Sequence, residues 1–160
     1  MMHTRQIPAA IETGLVAAAA FLAAPFQLAI RLYVGWVFVK SGWLKLSDWS
    51  QTLSLFQTEY HAPLLPPALA AVVGTAGELG CGVLVILGLI GRGGALGLFA
   101  VNALAVISYR DVLLADGFEA ALAQHVLWGF MLLVLAVHGP GRWSLDRLTN
   151  LVPAPRGAPA

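Results

Sequence analysis

The sequence predicts an all-α integral membrane protein, a four-helix up-and-down bundle with a short outer amphipathic helix between spans 1 and 2. Of its 160 residues, 59% are hydrophobic and only 11% are charged, whereas about a quarter of the residues of a soluble domain are charged. Four apolar stretches approach the roughly 20 helical residues that a hydrocarbon core requires. A fifth stretch is amphipathic and too short and polar to span.

Composition also limits the function. Nine basic and eight acidic residues leave a net charge of +1, which excludes nucleic acid as a natural partner. Cys81 is the only cysteine, so an intramolecular disulfide and a cysteine-based metal site are excluded. The histidines show no ligand spacing, and no metal site is predicted.

Residues 1–26 are predicted to form an Ala-rich helix that lies at the inner interface or leads into span 1, with a bend near Pro25. The basic start, the apolar run and Ala23-Ala24-Pro25 imitate a secretory signal. Glu12 interrupts the basic region, and cleavage would place the basic tail outside. An uncleaved helix is therefore preferred, with cleavage as the alternative.

Span 1 is predicted over Leu28–Leu44. Arg31, Gly35, Phe38, Gly42 and Lys45 follow one another at intervals of four, three, four and three residues. This spacing places them on one stripe of a helix. The stripe is basic at both ends and contains small residues, which favours close packing against another helix.

The outer amphipathic segment is predicted over Asp48–Tyr60, with Asp48 and Gln51 as a helix-capping pair. Its apolar residues recur at helical spacing, so it is expected to lie flat on the membrane. Span 2 follows over Pro67–Ile90 and carries one acid, Glu78, near its middle. Its many small residues predict a central position in the bundle.

The remaining elements are predicted in order along the chain. They are a tight turn at Gly91-Arg92-Gly93-Gly94, span 3 over Ala95–Tyr109 with Asn102 inside it, a polar loop over Arg110–Glu119, span 4 over Ala120–Val137 with His125 near its start, and a flexible cytoplasmic tail over residues 149–160.

Loop charges predict that both termini lie in the cytoplasm. One side holds Arg5, Arg92, Arg142, Arg147 and Arg156, whereas the other holds only Lys45 and Arg110, with five acidic residues. An excess of arginine and lysine marks the cytoplasmic side. The expected location is the inner membrane of a bacterial or archaeal cell.

Arg31 and Glu78 are the first candidates for a polar centre. An ion pair is the cheapest way to keep both groups inside the membrane, and a helical rise of about 1.5 Å per residue brings them within reach of each other. The pair is interpreted as a clamp that fixes helix register. The alternative is a carboxylate that accepts a proton or binds a ligand.

Lys45, Tyr109 and His125 are candidates at the outer end of the bundle. A lysine, a phenol and an imidazole at one level can hydrogen-bond a quinone carbonyl or relay a proton. Alternatively, Tyr109 belongs to an aromatic belt, Lys45 snorkels and His125 bonds to backbone. Asn102 is expected to bond across helices as packing glue.

Four groups of residues together resemble the DoxX family of small four-helix membrane proteins. The resemblance covers about residues 27–148, which are taken as one membrane domain. The matching residues are Arg31, Gly35, Phe38, Ser41, Gly42 and Lys45; Glu78, Gly80, Leu87-Gly88-Leu89 and Arg92; His125 and Trp128; and Gly139-Pro140-Gly141 with Ser144-Leu145-Asp146.

The resemblance implies a redox-associated membrane subunit, because members are similar to the small subunit of a thiosulfate:quinone oxidoreductase. The expected ligand is then quinone or another small lipophilic molecule, and the expected partner is a membrane or soluble oxidoreductase subunit, with self-association also open. Family resemblance supports fold more strongly than function. Enzymatic activity therefore stays open, and the alternative is a non-catalytic scaffold or small-solute transporter.

Overall fold

The computed structural model describes residues 8–149, which form helices joined by turns and loops, with no strand among them. The helices are α1 (Ala9–Ser47), α2 (Trp49–Thr58), α3 (Pro67–Leu87), α4 (Arg92–Ser108), α5 (Arg110–Leu113), α6 (Glu119–His138) and α7 (Leu145–Leu148). The predicted all-α membrane bundle is confirmed. Predictions for residues 1–7 and 150–160, including most of the tail, lie outside the described residues.

The bundle consists of α1, α3, α4 and α6, which pack in that cyclic order. Helices α1, α3 and α6 are long and apolar enough to cross a membrane. Helix α4 is apolar and has 17 residues, which is the lower limit for a crossing of about 30 Å. We call the end of the bundle that carries α2 the α2 end, and the opposite end the α7 end.

Helix α1 is longer than the predicted first span, because it runs without interruption from Ala9 through Pro25 to Ser47. The expected lead-in helix and span 1 are therefore a single helix of 39 residues. Residues 10–23 are exposed throughout, and burial begins at Ala24. The part of α1 that packs in the bundle starts close to Pro25.

Close backbone approach between α1 and α3 follows from glycine on the predicted stripe. A Cβ atom on Gly35 would lie 2.6 Å from Ile86 Cγ1 and 2.9 Å from the carbonyl oxygen of Gly82. Beside this contact, Val34 and Phe38 of α1 are buried against Leu98 of α4 and the inner face of α6. The stripe therefore faces the bundle, as its spacing predicts.

The turn between α3 and α4 comes earlier than predicted. Helix α3 ends at Leu87 because Gly88 adopts the left-handed conformation, with φ at 66°, which glycine accepts at no steric cost. Gly91 precedes α4, and Gly93 and Gly94 lie inside it. The prediction of a turn at residues 91–94 is therefore wrong. The turn lies between Leu87 and Arg92, and the two glycines after Arg92 belong to the first turn of α4.

Helix α2 begins as its sequence predicts. The carboxylate of Asp48 accepts a hydrogen bond of 2.9 Å from the backbone N–H of Gln51, and this bond holds the pKa of Asp48 below its usual value. The side chains of Thr52 and Phe56 are buried, and Phe56 packs against Ala70 and Ala71 of α3. Helix α2 thus covers the bundle at its α2 end.

We predict that Gly35→Ala lowers the free energy of unfolding by about 1–3 kcal/mol, because the new methyl group overpacks the α1–α3 contact. The matched control is Gly80→Ala, since a Cβ atom on Gly80 meets nothing within 4 Å. Thermal unfolding in detergent measures both variants. Equal melting temperatures for the two would contradict the close approach of α1 and α3.

Candidate functional site

The polar centre of the bundle is an ion pair between Lys45 of α1 and Glu78 of α3. The ammonium nitrogen of Lys45 lies 2.5 Å from Glu78 Oε1, and the two side chains are 17% and 8% exposed. Lys45 also donates to Ser41 Oγ at 3.1 Å, and the Ser41 hydroxyl lies near the carboxylate as well. Charges this deep are stable only when they are paired.

Glu78 is therefore not paired with Arg31, and the predicted ion pair is wrong. In a helix, the Cα–Cβ bond tilts toward the N-terminus. The side chain of Lys45, near the C-terminus of α1, thus points back into the bundle, whereas that of Arg31 points away from its middle. Arg31 contacts α3 at Val85 and Ile86, about 12 Å along the helix from Glu78.

Arg31 instead binds backbone carbonyls at the α7 end and is 3% exposed. Its guanidinium donates to the oxygens of Val85 at 3.0 Å and Ile86 at 2.7 Å, where α3 ends, and to those of Pro140 at 2.9 Å and Trp143 at 3.1 Å. A cation is favourable beside the unpaired carbonyls of a helix C-terminus. Arg31 therefore ties α1, α3 and the segment after α6 together.

Asp146 completes this arrangement, and sequence analysis missed it as a polar anchor. Its carboxylate accepts hydrogen bonds from the backbone N–H groups of Ile90 at 3.2 Å and of Gly91. The side chain is buried, beside the positive charge of Arg31. Although Asp146 belongs to a sequence motif in the tail, no periodicity links it to a turn 55 residues earlier.

Asn102 bonds across helices, as predicted, and its partner is His125. The Asn102 amide nitrogen donates to the backbone oxygen of His125 at 3.0 Å, so its amide oxygen faces His125 Nδ1 at 2.8 Å. An amide oxygen only accepts, and therefore Nδ1 carries the proton. His125 lies within electrostatic range of Lys45 and packs edge-on against Trp128.

Tyr109 does not join Lys45 and His125. Its hydroxyl donates to Glu59 Oε2 at 2.8 Å, and its ring stacks on Tyr60 with centroids 4.6 Å apart. Tyr60 stacks in turn on Phe56. Tyr109 thus attaches the end of α4 to the end of α2. The three candidates predicted at the outer end, Lys45, Tyr109 and His125, therefore bind different partners and do not form one cluster.

A cavity of about 130 Å³ lies between α2, α3 and α4, with Lys45 and Glu78 in its wall. The remaining wall is mainly apolar and includes Phe56, Tyr60, Ala62, Pro63, Leu65, Ala70, Val73, Gly74, Val101, Leu104, Ala105 and Ser108. Burial, followed by the negative charge of Glu78, raises the pKa of Tyr60 to about 12. Its phenol therefore stays protonated at neutral pH, as a hydrogen-bond donor that sequence analysis did not assign to a site.

Two buried oxygens of α3 lack partners among the described residues, and one of them belongs to Glu78 in the cavity wall. Glu78 Oε2 and Thr75 Oγ1 have no hydrogen bond within the described part of the chain. Thr75 lies one turn before Glu78 on α3, and both side chains are buried. A buried polar atom without a partner costs about 1–3 kcal/mol. The arrangement therefore leaves capacity for a ligand atom that donates a hydrogen bond.

Comparison with known families gives one match. The DoxX family model matches residues 26–111, which is more than half of the chain and extends from α1 through α5. The matched range contains Arg31, Lys45, Glu78, Asn102 and Tyr109, whereas His125 and the tail motif lie beyond it. Searches of curated proteins and of solved structures found no match.

A double-mutant cycle tests the corrected pairing. Lys45→Met alone removes the counter-charge of Glu78, whose buried carboxyl group must then take up a proton and loses its ion pair, and the change is expected to lower the free energy of unfolding by up to about 3–5 kcal/mol. Combining it with Glu78→Gln is expected to cost less than the sum of the two single changes. Denaturant unfolding measures all the variants.

Arg31→Met with Glu78→Gln is the control cycle. These side chains share no partner, so their costs are expected to add within about 0.5 kcal/mol. Strong coupling between Arg31 and Glu78, together with additivity for Lys45 and Glu78, would contradict the site.

Proposed function

Because the chain belongs to the DoxX family of membrane proteins, we propose that it is a redox-associated subunit that binds a quinone or another small lipophilic ligand in the cavity beside Lys45 and Glu78. The proposed location is the inner membrane, with both termini in the cytoplasm. This orientation rests on Arg92, Arg142 and Arg147, which lie at the α7 end.

The observation that carries the proposal is a mostly apolar cavity with one charged wall. Lys45 and Glu78 form that wall, and Glu78 Oε2 is buried with no hydrogen-bond partner among residues 8–149. Ligand sites are typically apolar clefts with a few polar groups that fix the ligand's orientation. The Lys45 ammonium and the Tyr60 phenol are suited to donate to a ligand carbonyl, and the Glu78 carboxylate is suited to accept from a hydroxyl.

The size and position of the cavity favour a ring with an apolar tail. An apolar protein cavity of about 150 Å³ holds a benzene molecule, so about 130 Å³ is close to the size of one unsubstituted ring, and the substituents of a larger head group would lie in the opening of the cavity. Val73 and Leu104 line the cavity and are also about half exposed. Since such exposed side chains on a membrane span face acyl chains, a tail can extend into lipid between α3 and α4.

A quinone takes up two electrons and two protons when it is reduced to a quinol. Glu78 is the group on the cavity wall that is suited to exchange protons with a ligand, whereas Tyr60 keeps its proton and serves as a hydrogen-bond donor. The electrons would come from a partner oxidoreductase, membrane-bound or soluble, which is the partner proposed here. This chain would then supply the lipid-facing binding site.

A non-catalytic scaffold is the second candidate. It is favoured by the two charged anchors, Lys45 with Glu78 and Arg31 with Asp146, which together fix α1 against α3 at both ends. In a scaffold, the cavity would bind nothing, and the polar groups would serve only the register of the helices.

Quinone binding is tested with the purified full chain and a short-chain ubiquinone. A ligand at about 100 times its Kd raises the free energy of unfolding by about 2.7 kcal/mol, which appears as a higher melting temperature. Gly74→Leu is expected to abolish this shift, because residue 74 lines the cavity and the added side chain fills it.

Gly80→Leu is the matched control on α3, since the space around Gly80 is open, and it is expected to keep the full shift. Glu78→Gln is expected to reduce the shift. No shift for the unaltered protein, or equal shifts for Gly74→Leu and Gly80→Leu, would reject the cavity as the binding site and leave the scaffold.

A further inference from the structure

A second cavity, of about 540 Å³, lies at the α7 end between the α3–α4 turn and the segment that follows α6. Its wall contains three guanidinium groups, from Arg92, Arg142 and Arg147, and one carboxylate, from Asp146. The proposed ligand cavity is at the opposite end of the bundle. This second cavity therefore needs its own explanation.

The carboxylate does not cancel the positive charge of this cavity. Asp146 already accepts hydrogen bonds from the backbone N–H groups of Ile90 and Gly91, and the buried Arg31 lies on its other side. If the negative charge of Asp146 is assigned to Arg31, the three arginines of the cavity wall have no counter-charge among the residues that line it. Such a cluster of positive charge attracts anions.

Two of these arginines have no other role within residues 8–149. Arg92 donates to the carbonyl oxygen of Val137 at 3.1 Å. The side chains of Arg142 and Arg147 make no hydrogen bond or ion pair there, and both are exposed. A planar guanidinium is suited to bind a phosphate through two parallel hydrogen bonds.

Large apolar side chains are exposed beside the arginines. Ile90 is 62% exposed, Trp143 is 55% exposed and Leu148 is 71% exposed. Tryptophan at the end of membrane spans lies at the level of the lipid headgroups. The surface therefore combines cations for a phosphate with apolar contacts for acyl chains.

We propose that this cavity binds the phosphate-bearing headgroup of an anionic phospholipid. Arg142 and Arg147 hold the phosphate, Arg92 contributes a third positive charge, and Ile90, Trp143 and Leu148 contact the upper acyl chains. Basic pockets between membrane helices bind anionic headgroups in this way. Because the bound segment connects α6 to α7, the lipid also stabilises the contact of Arg31 with Pro140 and Trp143.

Native mass spectrometry of the detergent-solubilised full chain tests the site. Phosphatidylglycerol is titrated, with phosphatidylcholine of the same acyl chains as the zwitterionic reference. One arginine near the surface contributes about fivefold to the binding of anionic lipid. Arg142→Gln and Arg147→Gln are therefore each expected to weaken phosphatidylglycerol binding about fivefold, and both together about 25-fold.

Arg110→Gln is the matched control, because Arg110 is exposed at the α2 end beside Asp111, and it is expected to leave binding unchanged. The changed side chains are exposed, so the lipid-free melting temperatures are expected to match that of the unaltered protein. Arg142→Lys keeps the charge and is expected to lose less affinity than Arg142→Gln.

Inorganic phosphate separates the two sources of this chemistry. If phosphate raises the melting temperature of the unaltered protein but not of the double variant, while phosphatidylglycerol binds no more tightly than phosphatidylcholine, the ligand is a free phosphate compound and the lipid assignment is overturned. Equal binding of both lipids, or unchanged phosphatidylglycerol binding by the double variant, overturns the site itself. Quinone-dependent shifts are expected to stay the same in all these variants, since that cavity lies at the other end.

Discussion

The ion pair between Lys45 and Glu78 is the interaction on which the interior of this bundle depends. A carboxylate inside a membrane helix requires a counter-charge, and among the described residues the C-terminal part of α1 brings one to Glu78. The 2.5 Å contact between Lys45 Nζ and Glu78 Oε1 therefore fixes the register of α1 against α3. Glycines on both helices permit the approach, and α2 then closes the same end of the bundle over Phe56 and Tyr60.

Arg31 has a different role at the α7 end, where backbone carbonyl dipoles, rather than a directly bonded carboxylate, stabilise its positive charge. Two of the four carbonyls that Arg31 binds lie in the last turn of α3, which ends early at Gly88, and Asp146 binds the N–H groups of the following turn. The two charged residues of the α1 stripe thus act about 21 Å apart along the helix, one on an acid and one on backbone. Each end of the bundle consequently has a polar anchor and a cavity beside it.

Much of this fold can be predicted from the sequence, because hydrophobic length and spacing determine the spans. The stripe from Arg31 to Lys45, the Asp48 cap and the cross-helix bond of Asn102 follow from local rules. The predicted Arg31–Glu78 pairing is wrong because helical rise gives only the depth of the Cα atoms, whereas side chains tilt toward the helix N-terminus. Asp146 and the Tyr60 wall of the cavity depend on contacts distant in sequence, for which a single sequence carries no periodic signal.

The central claim is that Lys45, and not Arg31, neutralises Glu78. Infrared spectroscopy of the purified protein tests it directly, since a carboxyl group in a membrane that loses its cationic partner takes up a proton rather than stay charged. A protonated-carboxyl band is expected to appear in Lys45→Met, to vanish when Glu78→Gln is added, and to be absent from Arg31→Met. Appearance of that band in Arg31→Met, with no change in Lys45→Met, would contradict the account.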